Sequence, residues 1–225
     1  MARSTLDYMN ISNTIYQTLV NEWGHQKWWS NSSKFEIMTG AVLTQNTSWE
    51  RVEKVIEILK KKKLLEIQVL LNLSNDELEE IIKPVGFYRQ KTIYLKEMCK
   101  TLTHKFDGSI DNLFKTETSR LRLEMLKWKG FGPETVDTIL LYAAKRPVFV
   151  IDTYTRRLMN RHGWSNKNDN YDKLAKKFTI DLGCDRIVFE ELHALIVQLG
   201  KVYCRKKPIC NKCPLSYLLK NQVSA

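Results

Sequence analysis

Proline, glycine and alternating patterns are all scarce in this chain. Five prolines and nine glycines in 225 residues leave few breaks, so loops should be short and elements long. Alternation of period two is confined to residues 147–151, which argues against a sheet-built fold. There is neither an internal repeat nor a low-complexity tract. No apolar run approaches the roughly 18–20 residues of a membrane span. The first 21 residues carry acids and polar side chains with no apolar h-region, so no secretory signal is expected. The cysteines are five, an odd number, and three of them crowd between 204 and 213. That pattern speaks against a disulfide framework and for a reducing cytosol with a metal site. Acids are in deficit as well. Lys and Arg outnumber Asp and Glu 36 to 25, a net charge of +11, which favours a polyanionic partner. A basic protein without such a partner would have the same composition.

What is present reads as helix almost everywhere. Phe35, Ile37, Met38, Ala41, Val42 and Leu43 are apolar nearly all round, the mark of a buried central helix. Ser48 stands as cap to an amphipathic helix bearing Val52, Val55, Ile56 and Leu59. Asn75-Asp76-Glu77 opens a short helix that stops at Pro84, with Gly86 beyond it. Further helices are expected from Tyr88 to Leu102, from Thr118 to Trp128 and from Asp185 to Tyr203. The block Lys60-Lys61-Lys62-Lys63 is either a solvated helix end or a surface for an anion. The expected fold is therefore all-α with roughly ten helices, long enough to bury a real core as one domain or two lobes.

The densest signal is Trp128-Lys129-Gly130-Phe131-Gly132-Pro133-Glu134-Thr135, followed by Phe149-Val150-Ile151-Asp152-Thr153. Two glycines flanking one apolar residue let the backbone turn tightly with its N–H groups outward. A helix starting at Pro133 would put those groups at its positive end, a site for phosphate. Gly-x-Gly before a helix is common, and the signal gains weight from Asp152 and from the terminal cysteines.

Together these segments resemble the endonuclease III superfamily of DNA glycosylases, over most of the chain from about Phe35 onward. Gly40-Ala41-Val42-Leu43-Thr44-Gln45-Asn46-Thr47 is similar to the family's helix end and Gln-bearing loop. Gly86-Phe87-Tyr88-Arg89-Gln90-Lys91 is similar to its next marker, and residues 129–135 to the second half of its helix-hairpin-helix. Val150-Ile151-Asp152-Thr153 is similar to the segment bearing its catalytic aspartate. The resemblance implies two helical lobes with a flipped base between them. The central lobe would cover 35–141, and the second would join 1–34 to 142–225, with a cysteine loop at 203–219. The implied partner is double-stranded DNA with a damaged base, met by a monomer in the cytoplasm (in a prokaryote, the cytosol and nucleoid).

A glycosylase must extrude a nucleotide, which requires a backbone grip and something to fill the gap. By resemblance, Gly130, Gly132, Lys129 and Thr135 hold the backbone and Gln45 fills the hole. Asp152 stabilises positive charge developing on the sugar and orients or deprotonates water. Asp152 also suits a helix N-cap before Thr153, and the two roles are compatible. In bifunctional relatives a lysine two residues after the second glycine forms a Schiff base and cuts the strand. Glu134 occupies that place, and a carboxylate forms no imine, so a monofunctional enzyme using water is expected. Glu134 either lines the base pocket or complements the helix dipole.

Lys27-Trp28-Trp29-Ser30 resembles the endonuclease III-like 3-methyladenine glycosylases, whose aromatic pocket holds alkylated purines. Stacking a cationic purine on Trp28 or Trp29 adds about 0.5–2 kcal/mol. Tyr88 is a weaker pocket candidate, while a tandem tryptophan is also ordinary core. Cys204, Cys210 and Cys213 resemble the family's [4Fe–4S] loop. The family's fourth cysteine would fall at Leu219, and five residues, not six, separate the first two cysteines. A cluster with a non-cysteine fourth ligand, a loop without metal, and zinc all remain open. His193 reads as an ordinary helix residue. The alternatives to a monofunctional glycosylase are a non-enzymatic helix-hairpin-helix DNA-binding protein, an endonuclease III-type glycosylase/lyase for oxidised pyrimidines or mismatches, and a cysteine-based regulator.

Overall fold

The computed structural model describes residues 10–219 and is all-α; among the described residues there are twelve α-helices and no strand. The chain forms two compact units. Among the described residues, one comprises 31–146 and the other 10–30 with 147–219.

In the 31–146 unit, α2 (Lys34–Leu43) is buried from Phe35 to Leu43. Its all-round apolar sequence has to be enclosed, and α3 (Trp49–Lys61), α6 (Tyr88–Phe106) and α9 (Pro133–Tyr142) pack on it. Two short helices, α4 (Ile67–Asn72) and α5 (Asn75–Ile82), lie against α6. Helix α5 starts with a capping box in which Ser74 and Glu77 satisfy each other's backbone N–H groups. It gives way to a single 3-10 turn at Lys83–Val85, where Pro84 cannot continue an α-helix. Helices α7 (Ile110–Phe114) and α8 (Thr118–Met125) lead into α9. Ser48 occupies the N-cap of α3, but its side chain makes no capping hydrogen bond, contrary to expectation. Of the lysine block, Lys60 pairs with the buried Glu36 at 2.7 Å, whereas Lys61, Lys62 and Lys63 are exposed.

The other unit contains α1 (Ile11–Trp23), α10 (Thr153–Arg161), α11 (Tyr171–Leu182) and α12 (Arg186–Val202). Helix α12 is its spine, with α1 and α10 packed against it. Residues 147–151 form no strand. Phe149 is instead clamped between Phe178, with ring centroids 4.0 Å apart, and Phe189, at 5.4 Å edge-on. Hydrophobic anchoring, not sheet pairing, delivers the chain to Asp152.

Candidate active site

Helices α8 and α9 make the hairpin. Arg122 of α8 donates from Nε and Nη2 to the two carboxylate oxygens of Asp137 on α9, at 2.7 and 3.1 Å. Asp137 is fully buried, so this bidentate pair fixes the two helices at the level of the turn. Gly130 has φ +81°, and a Cβ there would lie within the ring of Tyr94. Only glycine satisfies both demands. Gly132 differs from expectation, because its backbone is extended (φ −89°, ψ 173°) and any residue could adopt it. A Cβ at Gly132 would meet open space, so its smallness leaves room for an approaching group and is not needed for the turn. Pro133 follows at the first position of α9, where the first-turn N–H groups lack intrahelical acceptors. Lys129 and Glu134 are exposed beside this end.

Two side chains that the motif assigns to DNA are engaged within the protein here. Thr135 is buried, and its hydroxyl accepts a hydrogen bond from Gln45 Nε2 at 2.9 Å. The same Nε2 donates to the Gly130 carbonyl at 2.9 Å. Gln45 thus braces the hairpin turn in the DNA-free protein, with the Thr135 hydroxyl as one of its two acceptors. Tyr88 is half-buried at the start of α6, with the Arg89 guanidinium 5.7 Å from its ring centroid. Lys91, three residues on, is buried, and burial lowers its amine to about 8. Its Nζ is engaged by the carbonyls of Leu43 and Val85 at 2.9 and 3.0 Å.

Asp152 lies in the other unit as the N-cap of α10. Its Oδ1 accepts the Thr155 N–H at 2.7 Å. Its Oδ2 lies 3.7 Å from Nε2 of His193, a buried residue of α12. Desolvation holds the His193 imidazole below its ordinary pKa against the opposing pull of Asp152. The Trp28 ring stands edge-on to His193 at 6.0 Å and 88°. Trp28 is placed by its own segment, since Glu191 of α12 accepts the N–H groups of Gln26 and Lys27 at 2.6 and 3.0 Å. Trp29 is half-buried in the adjoining turn with φ +59°. Helices α10 and α12 approach closely because Gly200 leaves space for the Tyr154 ring, which a Cβ would overlap. Asp152, His193 and Trp28 therefore form one constellation. In sequence His193 reads as an ordinary helix residue and Glu191 is passed over, because both sit far along the chain in an apolar helix, where they resemble core positions.

Cys204 is buried; Cys210 and Cys213 are half-buried. Arg161 Nη1 donates to Cys204 Sγ at 3.3 Å. Burial pushes the Cys213 thiol up, Cys204 and Cys210 add to that rise, and the Leu215 N–H partly offsets it. Among the described residues no three His, Cys, Asp or Glu side chains gather as ligands of a single metal ion. A four-iron cluster carries each thiolate on its own iron, so its ligands surround the group and do not meet at a point. Neighbouring thiols with N–H donors on two of them suit that group. Cys184 is exposed at the opposite end of α12, about 25 Å away at the rise of a helix. Cys99 is buried in the 31–146 unit, its thiol pushed up to about 12 by desolvation.

A helix-hairpin-helix followed by a buried, helix-capping aspartate defines a base-excision DNA glycosylase. The chain belongs to the HhH-GPD superfamily of base excision DNA repair proteins, matching that family over residues 39–180. It is 43% identical over 203 residues to the DNA repair glycosylase candidate MJ1434 of Methanocaldococcus jannaschii, covering 89% of this chain and 92% of that one. It is 28% identical to endonuclease III of Thermotoga maritima over 187 residues, 80% of this chain and 79% of that protein. The crystal structure of H. pylori 3-methyladenine DNA glycosylase (MagIII) bound to 1,N6-ethenoadenine superposes with a TM-score of 0.73 at 28% identity, over 85% of this chain and 95% of that one. An endonuclease III–DNA complex shares the fold at a TM-score of 0.78 and 22% identity, over 92% of this chain and 93% of that one. Among the described residues, no helix is long and apolar enough to cross a membrane.

Proposed function

We propose that this chain is a monofunctional glycosylase that releases alkylated purines, 3-methyladenine foremost, from double-stranded DNA by hydrolysis. One observation carries the reading. The Asp152 carboxylate has one oxygen held by the Thr155 N–H and the other beside a buried histidine, on which a tryptophan is set edge-on. A carboxylate fixed in this way meets the positive charge that grows on the sugar as the glycosidic bond lengthens. Water oxygen bonds to C1′ as the C1′–N9 bond breaks. The bond pair leaves with the purine and cancels its positive charge, and Asp152 accepts the water proton. A cationic purine needs no proton to depart, and burial biases His193 toward its neutral form against the pull of Asp152. The electron-rich face of Trp28 or Trp29 favours a cationic base over a neutral one.

Glu134 supports water as the nucleophile, because the hairpin position where bifunctional relatives carry their lysine holds a carboxylate. Lys91 is no substitute, with its amine tied to two carbonyls. Gly130, Gly132 and Lys129, with the first-turn amides of α9, would receive the DNA backbone. The cysteine loop would hold a [4Fe–4S] cluster through Cys204, Cys210 and Cys213. When bound, the group supplies rigidity to a basic loop. The chain's own part is to keep Lys206 and Lys207 exposed at the surface, with Arg161 gripping the Arg205 and Lys206 carbonyls at 2.6 and 2.9 Å. The decisive experiment is a panel of duplexes with one lesion each, scored separately for free base and for strand breaks. Release of 3-methyladenine and 7-methylguanine without strand breaks is expected. A panel releasing only thymine glycol or mismatched thymine would overturn the substrate assignment.

A further inference from the structure

The loop 204–219 contains three cysteines, and Leu219 has no atom with which to bind iron. His162 lies beside that loop, within hydrogen-bonding reach of the Leu218 backbone. It is the C-cap residue of α10, adjacent to the Arg161 that touches Cys204 Sγ. Its ring is buried and stacked on Trp164, with centroids 4.2 Å apart and planes 24° from parallel. Nδ1 is buried and has no hydrogen-bond partner, an arrangement that normally costs about 1–3 kcal/mol. Burial holds the imidazole below its ordinary pKa, while a hydrogen bond with the Leu218 backbone acts the other way. With Nδ1 unpartnered, that bond falls to Nε2–H, which leaves Nδ1 as a lone-pair donor. Metal-bound histidines are commonly arranged like this, one ring nitrogen on the metal and the other donating to a carbonyl.

The position of that contact matters. The chain turns tightly after Cys213, with Ser216 N–H on the Cys213 carbonyl at 2.9 Å and Leu219 N–H on the Ser216 carbonyl at 3.1 Å. The turn brings Leu218 to the imidazole, next to the residue that replaces the missing cysteine. We propose that His162 Nδ1 is the fourth protein ligand of an iron–sulfur cluster bound by Cys204, Cys210 and Cys213. The inference rests on the cluster reading above and goes beyond it by assigning the missing donor. A neutral imidazole in place of a thiolate removes one negative charge from the ligand set, which raises the reduction potential.

The test uses the full chain, purified anaerobically and reconstituted with ferrous iron and sulfide. Wild-type protein should hold about four irons per chain, His162→Ala about three, and His162→Cys about four again. Protein labelled with 15N-histidine and reduced with dithionite should show hyperfine coupling to a histidine nitrogen by pulsed EPR. That coupling should vanish in His162→Cys, whose reduction potential should drop. Four irons with no histidine coupling in the wild type would overturn the His162 assignment and leave the cluster intact. Iron-free wild-type protein after reconstitution would overturn the cluster itself. The wild-type spectrum decides the matter even if His162→Ala does not fold.

Discussion

Asp152 caps α10, and the proposed mechanism gives it a second role; one pair of substitutions separates the two. In Asp152→Asn the amide oxygen can still accept the Thr155 N–H now held at 2.7 Å, and asparagine is as good an N-cap as aspartate. The melting temperature should therefore move little. Asp152→Ala loses the cap, at about 1 kcal/mol, which for a chain of this length lowers the melting temperature by roughly 2–4 °C. The chemical step sees a different difference. Under the proposed mechanism both variants lack the charge that would face the sugar, and removing one such electrostatic contact typically costs about 10²–10³-fold in rate. Single-turnover release of 7-methylguanine from alkylated duplex, beside thermal melting of the free protein, reads both quantities. The expected result is two variants equally slow but unequally stable, with duplex affinity within about tenfold of wild type. An Asp152→Asn enzyme turning over like wild type would remove Asp152 from the mechanism. One melting as low as Asp152→Ala would refute the view that its rate loss is purely one of charge.

Borohydride should trap no covalent adduct between the wild-type protein and DNA, and the abasic product should stay intact until alkali is added. Glu134→Lys should gain a trappable adduct, and efficient trapping by the wild type would defeat the monofunctional assignment. Trp28→Ala should lower kcat/KM for cationic purines by about 2- to 30-fold, more than for a neutral lesion; equal losses on both would make Trp28 a packing residue only. Arg122→Ala strands the buried Asp137 and should destabilise the fold by about 3 kcal/mol, at the low end of the range for broken buried pairs because Arg122 is partly exposed. Arg122→Met with Asp137→Leu should recover much of that loss in chemical denaturation, and no recovery would mean that the pair does more than fill its space.

The helices were legible because their cues are local. The all-round apolar run of α2, the Ser74–Glu77 box and the proline stop after α5 are each set by neighbours in sequence. The failures occur where a local cue met a tertiary competitor. Ser48 has the sequence of a side-chain cap but does not use it. Residues 147–151, the one stretch with alternation, stay irregular, as the all-α reading requires, with Phe149 buried against Phe178 and Phe189. Gly132 and Gly130 look equivalent in the motif, but only Gly130 is forced, by its positive φ and by Tyr94, thirty-six positions earlier.

The site divides along the same line. Asp152 could be picked out because a helix-opening acid at a set distance from a hairpin is a pattern along the chain. The groups that surround it belong to α12 and to the segment before residue 30, and no spacing rule links them. His193 looks like core in an apolar helix, and it is core; its consequence comes from which carboxylate it is buried against. Gln45 shows the reverse case. Its place in the motif suggests a side chain that reaches DNA, and in the DNA-free protein its amide is held by two acceptors. A residue that spans Gly130 and Thr135 couples the loop to the hairpin, so Gln45→Ala should loosen the turn even in protein that never meets DNA. Amide exchange at Phe131 and Val136 should then quicken. Unchanged exchange would mean that the two hydrogen bonds add nothing to the rigidity of the turn.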